Sequence, residues 1–229
     1  MGADLIVISG ASRGLGRALA DTMTGQGTRV IGLARRPLGD EPCEMAPCDV
    51  SDAAAVEAFF RKLRGEKGFW GLVNAAGIAS MNLVMATPPA TMERIVRTNL
   101  IGTMLTNQAA GKLMARNRQG RIVNFSTIAV ALSLKGEAVY AASKAGVEGF
   151  TRSFAREMAD FGVTVNAVAP GPIDTGLIAK IDPAKIEAIV ARQIIPRRAA
   201  PDDVGDVVSL LLDRRAGMIS GEIIHIGGA

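Results

Sequence analysis

Six short apolar runs rich in β-branched residues recur along the chain, at residues 4–9, 29–34, 70–74, 121–125, 164–169 and 222–226. Longer stretches with a helical apolar period separate them. This alternation constrains the fold more than any other feature, because two parallel strands need a long crossover and a helix is the usual one. Most of the runs are apolar almost throughout, as strands covered on both faces must be. A weaker run lies at 44–46. The spacing predicts helices over 15–24, 53–64, 99–116, 140–161 and 201–212. The expected fold class is therefore α/β, a doubly wound parallel sheet with helices on both faces.

With 229 residues, the chain is near the upper size for one hydrophobic core, so residues 1–229 are expected to form a single domain. Hydrophobic residues make up 48% and charged ones 21%, enough apolar side chains to bury a large core without help. The net charge of +4 is small and its basic residues are dispersed, which argues against a nucleic-acid partner. No apolar run approaches the roughly 18 residues of a membrane span, and Met1 to Gly10 holds no basic stretch ahead of an apolar one. A myristoylation pattern fails because Ile6 stands where Ser or Thr is needed. A cytoplasmic protein with no membrane partner is the expectation. Cys43 and Cys48 are five apart, neither a redox pair nor half of a zinc set, so reduced structural thiols and no metal site are expected. His225, the single histidine, falls in the last strand and is given a structural role.

Between the first strand and first helix runs Ser9-Gly10-Ala11-Ser12-Arg13-Gly14-Leu15-Gly16. Glycines there let the backbone turn tightly and approach a pyrophosphate, while the helix start offers unpaired N–H groups and a positive dipole end. The spacing is G-x-x-x-G-x-G, not the G-x-G-x-x-G of the general Rossmann fingerprint, and a plain tight turn would have the same composition. Farther along, Tyr140 and Lys144 are four apart on a predicted helix and share a face. A phenol with pKa near 10 shuttles protons poorly at neutral pH. An ammonium lowering it by about 3 units would supply roughly 4 kcal/mol of bias. A tyrosine and a lysine on an ordinary surface helix would look the same.

Taken in order, the glycine turn, Asn74-Ala75-Ala76-Gly77, Asn99, Tyr140-x-x-x-Lys144 and Pro170-Gly171-Pro172-Ile173-Asp174-Thr175 make the chain resemble the short-chain dehydrogenase/reductase family over essentially its whole length. It is most similar to the family's 3-oxoacyl-[acyl-carrier-protein] reductases. The resemblance implies a Rossmann-type sheet and hydride transfer between a nicotinamide cofactor and a ketone or secondary alcohol. Tyr140 would exchange a proton with the substrate oxygen, and Lys144 would depress its pKa and hold the nicotinamide ribose. Asn99, at a predicted helix start, would anchor a relay water, although Asn also serves as an N-cap. Gly10, Ser12, Arg13, Gly14, Leu15 and Gly16 would bind the pyrophosphate side. Asn74, Ala75 and Gly77 would line the floor under the adenine ribose, with Asp49 and Val50 at the adenine edge. Pro170, Gly171, Ile173 and Thr175 would hold the carboxamide end. A homotetramer is also implied, built on the helices at 99–116 and 140–161.

Cofactor choice is read at the end of the second strand, where members preferring NAD carry an acidic residue for the ribose 2′-hydroxyl. Ala34 stands there, followed by Arg35 and Arg36, and Arg13 lies in the glycine turn. NADP(H) is the expected cofactor, since a charge-assisted hydrogen bond to a 2′-phosphate contributes roughly 1.5–3 kcal/mol. As loop residues the two arginines could equally be solvated charges.

Two departures stand out. The family places a serine thirteen residues before the tyrosine to bond the substrate oxygen, and here that position is Thr127, with Ser126 beside it. The crossover at 35–43 is also too short, and too broken by Pro37, Gly39 and Pro42, for a helix. Substrate identity is less legible. Segments 81–85, 129–134 and 177–195 are largely apolar and suggest a lipophilic ligand, small or carried on an acyl carrier protein. Of two basic docking positions in the family, one matches as Arg118 and the other is Phe161. Three readings follow: a lipophilic ketone reductase, a sugar or polar-alcohol dehydrogenase, or a cofactor-binding scaffold with a decayed site.

Overall fold

The computed structural model describes residues 4–66, 68–173 and 182–229. Its seven strands are β1 (Leu5–Ser9), β2 (Arg29–Ala34), β3 (Glu44–Pro47), β4 (Phe69–Asn74), β5 (Gly120–Phe125), β6 (Val163–Pro170) and β7 (Ile223–Ile226). All pair in parallel, in the order β3-β2-β1-β4-β5-β6-β7. Alternation along β1 shows how the sheet is covered. Leu5 and Val7 point into one core with α2 (Ala53–Lys62), α4 (Gly102–Asn117) and α6 (Ala138–Ala159). Ile6 and Ile8 point into the other, with α1 (Gly14–Gly25) and α8 (Pro201–Leu212). Two buried faces explain why the strands read as continuous apolar runs.

The helix expected to begin at residue 99 starts ten residues earlier. α3 (Pro89–Val96) passes through a π-helical turn (Arg97–Ile101) directly into α4, with helical backbone angles at Val96, Ile101 and Gly102. Asn99 is therefore inside a continuous helix and caps nothing. Two short helices, α5 (Ile128–Leu132) and α7 (Pro183–Val190), join the five that periodicity indicates. Asp182 caps α7 by accepting from Ala184 N at 2.9 Å, with Pro183 in the first turn.

The crossover between β2 and β3 is helix-free, as its length requires. Arg17 ties it down through Asp40 at 3.0 Å, while the Glu41 carboxylate accepts from the amides of Leu38 and Gly39. Both cysteines are free thiols, and burial pushes Cys48 up to about 11. At the opposite end of the sheet from the strand C-termini, Trp70 donates from its indole to Leu212 O at 2.7 Å. The guanidinium groups of Arg121 and Arg214 lie over its ring at 4.7 and 3.9 Å. Among the described residues no helix is long and apolar enough to cross a membrane.

Candidate active site

The residues singled out from the sequence gather at the C-terminal ends of the strands, where open parallel sheets bind ligands. The strand order reverses between β1 and β4, and the glycine turn sits there. Gly10 has φ +75°, and a Cβ on it would lie 2.8 Å from Ala76 Cα. A Cβ on Gly16 would overlap the carbonyl oxygen of Gly10. These two glycines are required by the chain's approach to itself, which no ligand need explain. Gly14 differs: it is exposed, has φ +58°, and opens α1 behind Arg13, whose side chain makes no capping bond. Among the described residues no side chain caps the first turn of α1, and Ser12 and Leu15 flank it half-buried. Such a helix start fits a phosphate group.

Below the turn runs a buried polar seam. Asn74, 3% exposed, donates to Asn124 Oδ1 at 2.9 Å and accepts from the Thr106 hydroxyl at 2.7 Å. Asn124 in turn accepts from Asn107 and donates to Thr151. The Asn74 side chain accordingly braces the β4 terminus from within, and the following Ala75 to Gly77 backbone, with Gly77 exposed, is what meets the cleft. Among the described residues only Asn107 Oδ1 of this seam finds no donor, and networks of this kind fix geometry more than they add stability.

Asn99, fully buried in the π turn, accepts from Ile78 N and donates to Ile78 O, both at 2.9 Å, and to the Ser143 hydroxyl at 3.1 Å. The Ser143 hydroxyl donates to Tyr140 O at 2.7 Å. A Cβ on Gly77 would lie 3.5 Å from Asn99 Oδ1 and 3.6 Å from Lys144 Nζ, so Gly77, Asn99 and Lys144 meet at one point. Lys144 donates to Phe125 O at 2.8 Å, and burial pushes its pKa down to about 8.

Tyr140 behaves differently from the sequence-based expectation. Its pKa rises, first through burial and then through the nearby Glu137 carboxylate, with only a hydrogen bond to the Thr127 side chain pulling it down. Thr127, at the position counted back from the tyrosine, accepts from Ala129 N as the cap of α5, whereas Ser126 donates to Glu148 Oε1 at 2.6 Å. Sequence reasoning missed Glu137, whose own pKa burial raises. A carboxylate three residues before the tyrosine, hence on its helical face, was the available signal.

Toward β2, Arg13, Arg35 and Arg36 are exposed and pair with no other described residue, in contrast to Arg17. Ala34 is buried and Gly10 N donates to Leu33 O at 2.8 Å, which seats the glycine turn against the end of β2. Asp49 Oδ1 accepts from the amide and hydroxyl of Ser51, and Val50 is buried against Gly102. Pro170 and Gly171 close β6, and Ile173 is buried and bridges Ala199. Thr175, with Asp174 and the 177–181 part of the proposed pocket, lies outside the described residues. Leu83, Val84 and Met85 are exposed, Ala129 is buried, and Arg192 donates to Leu132 O at 3.0 Å. A cavity of about 310 Å³ beside Cys43 and one of about 410 Å³ beside Phe69 both lie away from this cluster.

Fold and cluster define a class of redox enzyme, and the chain belongs to the short-chain dehydrogenase/reductase family of oxidoreductases. A family model described as enoyl-(acyl carrier protein) reductase matches residues 10–228. The chain is similar to the 3-oxoacyl-[acyl-carrier-protein] reductase FabG of Escherichia coli strain K12, at 34% identity over 98% of this chain and 96% of that one. The FabG of Vibrio cholerae is 36% identical over 97% and 95%, and MabA of Mycobacterium tuberculosis is 34% identical over 97% and 91%. Among solved structures, the ligand-free aldohexose dehydrogenase of Thermoplasma acidophilum superposes with a TM-score of 0.89 at 31% identity, over 99% of this chain and 93% of that one. ElxO with NADP bound superposes at 0.89 and 26% identity, over 98% and 97%.

Proposed function

We propose that the protein is an NADP(H)-dependent reductase of 3-oxoacyl or similar lipophilic ketones, on one catalytic domain spanning residues 1–229. The observation that carries this reading is the convergence of Gly77, Asn99 and Lys144 at one point, with Tyr140 one helical turn before Lys144 on α6. Bound NADPH supplies the hydride. The raised pKa keeps the Tyr140 hydroxyl protonated at neutral pH, the form that can donate to a carbonyl oxygen as negative charge develops there. Thr127 donates to the same oxygen. Lys144, with a pKa of about 8, can resupply the proton near neutrality. The Asn99 side chain is committed to Ile78 and Ser143, so a relay water would be anchored by its main-chain carbonyl, which already accepts from Thr103 at 2.8 Å.

Preference for NADP(H) is supported by Ala34, by the exposed Arg13, Arg35 and Arg36, which pair with no described residue, and by the NADP-bound structural neighbour. The named relatives favour an acyl-carrier-linked substrate. Arg118 donates to Asp160 O at 2.9 Å beside Phe161, which is 38% exposed, so one cation and one apolar side chain occupy the docking corner. Dehydrogenation of a sugar is the second reading, favoured by the aldohexose dehydrogenase likeness. Enoyl reduction fits poorly, because that branch separates its tyrosine and lysine by more than four residues. A homotetramer built on α4 and α6, in the cytoplasm, completes the proposal, and sedimentation showing a monomer at micromolar concentration would remove the tetramer.

The deciding experiment is a panel of 3-oxoacyl thioesters, simple ketones and aldoses assayed with both nicotinamide cofactors. Fastest turnover of a 3-oxoacyl thioester with NADPH is expected. An aldose as best substrate selects the second reading, and no turnover of any compound leaves a cofactor-binding scaffold.

A further inference from the structure

Gln193 lies three residues beyond α7 and is only 6% exposed, yet its Oε1 finds no donor among the described residues. Its Nε2 donates to Ile195 O at 3.2 Å and to Arg197 O at 2.8 Å. Ile195 N donates to Gly227 O at 2.8 Å, and Gly171 N to Ile226 O at 3.2 Å. One side chain thus stands where the loop between α7 and α8 meets the ends of β6 and β7. Both facing glycines make room for it: a Cβ on Gly171 would overlap Gln193 Oε1, and one on Gly227 would lie 3.0 Å from it.

The donors explain half of this side chain, since they satisfy two loop carbonyls. Packing does not explain the other half. A buried acceptor without a donor costs about 1–3 kcal/mol, and an apolar side chain of similar length would fill the space without that penalty. Such costs persist where a fixed arrangement is needed. The arrangement fixed here is the Gly171 to Ile173 turn, which follows β6 beside β5 and lies against Ile128, the residue after Thr127. Small errors in such a turn misplace a reacting group, and a displacement of about 1 Å can cost on the order of a hundred-fold.

We propose that Gln193 is a positioning residue for the nicotinamide end of the cofactor, acting through its contact with Gly171. The inference rests on the NADP(H) reading above. It is tested on the full chain by measuring dissociation constants for NADPH, by its fluorescence, and for adenosine 2′,5′-bisphosphate, by calorimetry. Gln193→Met is expected to weaken NADPH about ten-fold or more and to leave the bisphosphate within about two-fold. Equal loss for both ligands, or no loss for either, overturns it. A double-variant cycle gives a second measurement independent of the methionine variant's folding. Gly171→Ala should weaken NADPH, and adding Gln193→Ser should restore part of that loss by vacating the space of the new Cβ. A double variant that binds no better than Gly171→Ala alone also overturns it. If the wild type binds neither NADPH nor NADH, the reading of function fails and takes this inference with it. Wild-type binding with unaffected variants removes the inference alone.

Discussion

The two halves of the cleft are built in opposite ways. Beneath Tyr140 the side chains are interlocked: buried Asn99 holds Ile78 and Ser143, buried Lys144 holds Phe125, and half-buried Thr127 caps α5. Toward β2 the groups that would meet a ligand are exposed, and Arg13, Arg35 and Arg36 face solvent with no described partner. Arg17, by contrast, is paired and anchors the helix-free crossover. Chemistry needs groups held to a fraction of an ångström, whereas attraction of a phosphate needs charge left available. Substitutions in the first half should therefore change turnover, and in the second, affinity and selectivity.

The sharpest break in this contrast is Tyr140→Phe. It deletes one hydroxyl and should reduce kcat by at least about a thousand-fold while NADPH affinity stays within about two-fold. Activity within ten-fold of wild type would contradict the role given to the tyrosine. Next is Thr127→Val, expected to lower kcat by roughly ten- to a thousand-fold and, because the Ala129 cap is lost too, to cost about 1 kcal/mol of stability in denaturant titration. Thr127→Ser should keep both properties. Ser126→Ala should spare kcat, since that hydroxyl is turned to Glu148; the reverse pattern would reassign the hydroxyl.

In the exposed half, NADPH should bind at least ten-fold more tightly than NADH. Arg35→Asp should erase most of that preference at unchanged thermal midpoint, a difference of roughly 1.5–3 kcal/mol in cofactor discrimination. Equal affinities in the wild type would remove the charge argument. The smallest effect concerns Glu137. Its negative charge helps hold Tyr140 protonated, so Glu137→Gln should let the phenol ionise at lower pH. The chain has one tyrosine, which makes phenolate absorbance a direct readout. A variant titrating at the same or higher pH would show that the carboxylate does not act on it.

Strands were legible because both their faces are buried: the runs at 121–125 and 164–169 extend by at most one residue at either end in β5 and β6. The helix through Asn99 was not. Pro88 and Pro89 look like a break, yet Pro89 occupies the first helical position, and Ile95 alone is buried in α3, too little to set an apolar period. Within the site, Tyr140, Lys144 and Thr127 could be found by spacing, and the exposed arginines by charge. Glu137 was within reach of the same spacing argument, three residues before the tyrosine, whereas the fit of Gln193 against Gly171 and Gly227 depends on contacts between segments far apart in the chain, which no local pattern encodes.

The indole of Trp70 lends the protein a built-in observer. It is the chain's single tryptophan, it is 5% exposed, and it lies at the start of β4, whereas Asn74 ends that strand beneath the cleft. At about 3.3 Å per residue, some 13 Å of sheet separates the ring from the ligand end. Its emission is thus governed by the Leu212 carbonyl and the two guanidinium groups above it, and should change when the sheet comes apart. Loading the cleft should leave the emission maximum where it was. Intrinsic fluorescence then measures unfolding separately from occupancy, so a variant that loses activity by collapsing is distinguished optically from one that has lost only its chemistry.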